Sequence, residues 1–285
     1  MFRHQRWTQK PQLGVRINPA HSLAKGLVGC WLFNEGSGNK VYDLSGNGNH
    51  GTLVGMAFPP TIPSGWHPGR DGTALALDGT NDYVNAGNSS SLDIAGDLTI
   101  SFWAKPDSLG TAGNSALSVF FYKGSWRAGG YYIQRNLQNL GRQGSLGLTT
   151  NQVGAHQFTE SANGVLVVGE WHHYIVIKRE TTCRIYKDGI EVAYTAQAAH
   201  LDSAPSSSNF QISRYADEAG DYFFDGHIDH ASVYNRALTP QEILELYENP
   251  YGMFSWPSMW PVEAPPPPTH RPRSPAVSGV PSAHF

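Results

Sequence analysis

The chain has 285 residues, a formal net charge of −3, only 15% charged residues, 12% aromatics and 31 glycines. That length suits one large all-β domain or two small ones, and the sparse charge with abundant turn formers disfavours a helical protein. The near-neutral balance argues against nucleic acid as a partner. The absence of an apolar run approaching 18 residues argues against a membrane-spanning helix.

Residues 1–25 read as an extended basic arm. Residues 1–18 carry Arg3, Arg6, Lys10 and Arg16 and no acid, and the first acid of the chain is Glu35. Met1 to Ala20 has no apolar stretch of signal-peptide length, so the expectation is synthesis in a cytoplasm without export by that route. Leu27–Phe33 is a near-continuous apolar run suited to a buried strand. The loop Asp43-Leu44-Ser45-Gly46-Asn47-Gly48-Asn49-His50-Gly51 follows, too rich in Gly and Asn for a regular element. Strands are expected at 51–54, 74–77 and from Tyr83, around a proline-rich loop at 58–72. Leu98–Ala104 alternates apolar and small polar residues at period two.

Further strands are expected at 118–122, 131–134, 145–149, 164–168, 171–178, 182–186, 190–196, 210–213 and 227–234. Lys187-Asp188-Gly189 carries a hairpin turn signal. Thr239-Pro240-Gln241-Glu242 is a capping box with proline at the first helical position, and Asn249-Pro250 stops the helix. Beyond it the composition shifts: ten of the 19 prolines lie from Pro250 onward, and residues 249–285 read as an extended, polyproline-like tail. The expected fold is a two-sheet antiparallel jelly-roll sandwich at 26–248, with one short C-terminal helix and extended terminal arms.

Several segments carry a family resemblance in one order along the chain. They are Gly26–Gly38, Asp43–Gly51, Leu77–Val84, Leu98–Pro106, Trp171–Tyr174 with Ile185–Gly189, and Gly226–Thr239. Together they resemble the laminin-G-like branch of the concanavalin A-like lectin and glucanase jelly rolls, of the stand-alone type seen among bacteriophage virion proteins. Two departures are His230, where the family usually carries an acid, and Cys30, where an aromatic is common. The resemblance implies a non-enzymatic binding or adhesion module, often holding calcium. It implies a virion component, a capsid decoration or tail-associated protein, whose segments 1–25 and 249–285 hold neighbouring virion proteins. A homo-oligomer and an extracellular assembly as the final location go with that expectation. The alternative is a free calcium-dependent carbohydrate-binding module. A glycoside hydrolase or lyase ranks below both, because the Glu-x-Asp-x-x-Glu run of jelly-roll glucanases is missing and Asp217, Glu218 and Asp221 read as a solvated turn.

For calcium, Asp43, Ser45, Asn47 and Asn49 place oxygens at alternate positions, and Asp229 is a candidate for a second carboxylate from across the fold. The competing reading is an Asx-rich turn whose side chains bond their own backbone. Asp78 and Asp82 form a weaker pair that hairpin chemistry also explains. His172 and His173 are adjacent in a strand, face opposite ways, and cannot chelate one ion together. Glycan stacking candidates are the loop aromatics Trp66, Trp126, Tyr131, Tyr132, Tyr215 and Tyr222. Trp31, Trp103 and Trp171 sit in strand patterns and are expected in the core. Cys30 and Cys183 are expected as buried thiols, with pairing left open.

Overall fold

The structure, a computed structural model, describes residues 9–58, 64–109, 118–135, 144–217 and 220–255. The strands are β1 (Arg16–Ile17), β2 (Leu27–Trp31), β3 (Lys40–Val41), β4 (Gly51–Val54), β5 (Gly65–Pro68), β6 (Thr73–Asp78), β7 (Tyr83–Asn85), β8 (Leu98–Pro106), β9 (Ser118–Ser125), β10 (Gly129–Arg135) and β11 (Gly147–Gln152). They continue with β12 (Ala155–Ser161), β13 (His172–Arg179), β14 (Thr182–Lys187), β15 (Ile190–Glu191), β16 (Tyr194–Ala196), β17 (Gln211–Ile212), β18 (Arg214–Asp217), β19 (Gly220–Phe223), β20 (Asp225–Tyr234) and β21 (Phe254–Ser255). The helix α1 spans Pro240–Glu248.

Two large antiparallel sheets face each other, as expected for a jelly-roll sandwich. One runs β16-β12-β11-β10-β9-β17-β7-β4-β3. The other runs β15-β14-β13-β8-β20-β6-β5, with β2 also paired to β20. Strand β8 shows how the pattern places the core. Ile100, Phe102 and Ala104 point into the space between the sheets, where Phe102 packs on Phe120, Phe121 and Tyr174. The alternate residues Thr99, Ser101 and Trp103 lie on the opposite face.

That opposite face is covered in turn. A second apolar cluster joins Cys30, Ile175 and Ile177 of the sheet to Val15, Leu23, Ile243, Leu246, Met253 and Phe254. Residues 9–25 and 249–255 are therefore not extended arms, which corrects the expectation for those parts of the two segments. Val15, Leu23, Tyr251 and Phe254 supply apolar surface that is removed from water by docking on the sheet. β1 pairs antiparallel with β21, Arg16 opposite Ser255. The rest of both segments, residues 1–8 and 256–285, lies outside the described residues.

The capping box forms as read: Thr239 Oγ1 accepts from Glu242 N, and the Glu242 carboxylate accepts from Thr239 N. Arg236 closes it from outside with two hydrogen bonds to Glu242. The stretch 164–168 is a turn, not a strand, although Val165 and Leu166 are buried. Both cysteines are buried and free, so they do not pair. Among the described residues no helix is long and apolar enough to cross a membrane.

Candidate functional site

The Asp43 loop is an Asx-rich turn. Asp43 Oδ1 accepts from the amides of Cys30 and Ser45, and Oδ2 accepts from Asn49 N and Ser45 Oγ. Asn49 Nδ2 donates to Val28 O, and Asn47 Nδ2 donates to Leu27 O. The loop thus fastens β2, and Asn49 O accepts from the buried Trp31 indole. The Asn49 amide oxygen is buried without a donor, but one amide oxygen falls far short of the six to eight hard ligands that calcium takes. Asp229 does not join the loop; it is ion-paired with Lys10. The residues present do not fit a calcium ion, and among the described residues no cluster of three or more His, Cys, Asp or Glu is placed to hold a metal. Asp78 likewise serves its own turn, accepting from Thr80 N and Asn81 N.

The six glycan candidates are dispersed. Trp66 is in the main core, and its indole N–H donates to Gly38 O. Tyr131 is also in the core, with its hydroxyl donating to Leu92 O. Tyr132 and Tyr215 are buried with Val119 and Tyr122, where the β18–β19 hairpin covers the outer face of the nine-stranded sheet; Tyr222 is half-buried against them. Loop-like sequence hid the roles of Tyr215 and Tyr222 because the β18–β19 hairpin, a two-stranded sheet of its own, folds over the nine-stranded sheet. Trp126 alone of the six is exposed, at 41%, and its ring lies tilted against His156 with centroids 4.0 Å apart.

A cleft that the sequence did not reveal opens on the other sheet. Its volume is about 610 Å³, and it is lined by Arg70, Trp103, Trp171, His172, Asp188, Tyr247 and Glu248. Register builds its floor. Trp103 on β8 lies opposite Asp229 on β20 and His173 on β13. The Trp103 and His173 rings stack with centroids 5.0 Å apart, and Tyr247 of α1 stacks 6.0 Å from Trp103. The Arg70 guanidinium lies 3.6 Å from the Trp103 ring centroid, a cation–π contact. Trp171, expected in the core, is half-buried at the cleft wall, because it precedes β13 and lies beyond the paired part of the strand.

One carboxylate of the cleft, Asp188, comes from a two-residue hairpin turn. Asp188 and Gly189 have φ of 51° and 79°, the positive values that a type I′ turn requires. The turn aims Asp188 back along β13: Oδ1 accepts from His173 N at 2.9 Å, and Oδ2 lies 2.6 Å from His172 Nδ1. His172 Nε2 in turn lies 3.2 Å from Glu170. His173 is wholly buried; burial holds its imidazole well below the usual histidine range, and its Nε2 pairs with Ser101 Oγ at 2.8 Å. Its ring lies in the floor, stacked against both Trp103 and Tyr247.

The Arg70 loop is tied down by both flanking segments. Asp71 takes an ion pair from Arg70 at 3.1 Å, a hydrogen bond from Tyr251 Oη at 3.2 Å, and its carbonyl accepts from Lys10 N. Lys10 Nζ is buried and donates to Phe33 O, Thr73 O and Asp229. A β-bulge after Asp229, where His230 has φ of 37°, displaces the strand locally at this anchor.

Comparison with known proteins agrees with this architecture. The model of the concanavalin A-like lectin/glucanases superfamily matches residues 78–244, more than half of the chain. No curated protein sequence matches. Among solved structures, the binding domain of Paraclostridial Mosquitocidal Protein 1 is similar at a TM-score of 0.60 and 17% identity, over 79% of this chain and 52% of that one. Domain 4 of AbnA, a GH43 extracellular arabinanase from Geobacillus stearothermophilus, in complex with arabinotriose, matches at 0.55 and 20% identity, over 78% and 98%. The receptor-binding domain of botulinum neurotoxin C/D mosaic serotype matches at 0.55 and 13%, over 78% and 51%. The chain spans about half the length of the toxin domains, and identities this low speak to the fold alone. With two facing antiparallel sheets, the jelly-roll order of strands and a family match across most of the sandwich, the chain belongs to the concanavalin A-like lectin/glucanases superfamily.

Proposed function

We propose that this domain is a non-enzymatic, lectin-like recognition module that binds a glycan in the cleft between the start of β13, the Asp188 turn and α1. One observation carries the reading: Trp171 and Tyr247, large aromatic surfaces, converge with Arg70, His172, Asp188 and Glu248 around one open volume. Aromatic faces stack on the apolar faces of sugar rings, while charged and polar groups bind the hydroxyls. Asp188 is engaged by His172 and a backbone amide, an arrangement that positions an acceptor and does not ready a proton donor for bond cleavage. The Geobacillus domain was solved with arabinotriose, which makes arabino-oligosaccharides sensible first probes.

A glycan array followed by titration monitored by tryptophan fluorescence tests this. Wild type is expected to bind, and Trp171→Ala to lose at least tenfold in affinity with its melting temperature held within a few degrees. A silent array, or full affinity in Trp171→Ala, contradicts it.

A role in a larger assembly, such as a virion, is a second reading favoured by one observation. The two flanking segments are stapled together by β1 and β21 and share Asp71, so an arm on either side would leave from one anchored platform. Light scattering on the full chain is expected to give an oligomer; a monomer at all concentrations contradicts self-assembly.

A further inference from the structure

Resting on the reading of the cleft as a glycan site, we propose that it selects uncharged, hydroxyl-rich glycans and rejects those bearing carboxylates. The charges around it are unequal. Asp188 and Glu248 line the cleft directly, and Glu170 stands behind His172. Among the described lining residues the one arginine, Arg70, is ion-paired with Asp71 and lies over the Trp103 ring. His172 is held between two carboxylates, Asp188 and Glu170. Among the described residues that line the cleft, a sugar acid would therefore meet two carboxylates, and each basic group there is already paired with an acid.

The same groups suit neutral sugars. Carboxylate oxygens accept hydrogen bonds from hydroxyls, and charge-assisted bonds of this kind are stronger than neutral ones. Trp171 and Tyr247 provide stacking area that does not depend on charge. Discrimination arises from repulsion of the wrong ligand as much as from attraction of the right one. Because the cleft is open to solvent, that repulsion is screened by salt over roughly 10 Å at 0.1 M ionic strength.

Calorimetric titration of the full chain at pH 7 and low salt tests the proposal. The neutral probes are arabinohexaose, cellohexaose and maltohexaose; the acidic probe of equal length is hexagalacturonate. At least one neutral hexaose is expected to bind tenfold or more tightly than hexagalacturonate. The ratio should shrink at 0.5 M salt, and it should shrink in Asp188→Asn and Glu248→Gln. Asparagine tolerates the positive φ of position 188, and Glu248 is exposed on α1, so both variants should fold. Equal or tighter binding of hexagalacturonate overturns the charge rule and leaves glycan recognition standing. No heat with any of the four probes overturns both.

Discussion

Replacing Lys10 by methionine isolates the interaction that fastens the N-terminal segment. The Lys10 and Asp229 side chains are 3% and 2% exposed, so the ion pair is shielded from water. Burial pushes the Lys10 amine down and the Asp229 carboxyl up, and each opposes the other's shift through their mutual attraction. Methionine keeps the apolar stem but strands Asp229, whose Oδ2 already has no partner. Leaving a buried charge uncompensated costs about 3–5 kcal/mol. In a domain of this size each kcal/mol moves the melting temperature by about 2–4 °C, so a fall of roughly 6–20 °C is expected. Differential scanning calorimetry reads it. The double variant Lys10→Met/Asp229→Leu should recover much of the loss, since well-packed apolar replacement of a buried pair is often neutral. A Lys10→Met protein within about 1 kcal/mol of wild type would refute the docking of residues 9–17, because the uncompensated-charge cost is several times larger.

Other consequences follow from the same geometry. Arg236 and Thr239 hold the Glu242 carboxyl down at about 2, so its contribution is complete above pH ~4.5 and is lost as pH falls toward 2. Glu242→Gln should cost about 1–3 kcal/mol at pH 7 in urea unfolding, and the gap to wild type should close in acid. His200 sits between Thr150 and Thr159, and burial pushes its imidazole down to about 4; His230 is pushed to about 3. Below pH 6.5 the unfolded chain takes up protons that these rings refuse, so stability should fall from pH 6.5 toward 4, by up to roughly 1.4 kcal/mol per pH unit for each ring. His200→Gln should flatten that slope; an unchanged slope contradicts the neutral buried ring. Gly130 has φ of +80°, and an added Cβ would lie 1.9 Å from Lys123 O across the β9–β10 pair. Gly130→Ala should therefore unfold at a urea concentration well below wild type, with a loss of several kcal/mol.

The sandwich was legible because its signals are local. The period-two pattern of 98–104, the capping box at Thr239 and the Asp188-Gly189 turn each dictate their own geometry. What escaped was long-range. Residues 155–161 are polar on both faces, since Thr159, Glu160 and Ser161 are buried through hydrogen bonding and not through apolar contact, so no alternation marks β12. Lys10 looked like part of a solvated basic arm; only the bulge at His230 and the pairing of β8 with β20 reveal its buried partner. The cleft joins residues from positions 70, 103, 171, 188 and 247, and no spacing in the chain announces that meeting. The Asp43 loop shows the opposite failing. Its oxygens recur at the spacing of a metal loop, yet the neighbouring amides of β2 and of the loop itself claim them first.

The proposed ligand site is the cleft under α1. A crystal structure of the full chain soaked with a neutral oligosaccharide selected by the array tests it most directly. A sugar ring is expected against Trp171 and Tyr247, with hydroxyls bound to Asp188 or Glu248. Sugar density on Trp126 and His156 with the cleft left to solvent would contradict it.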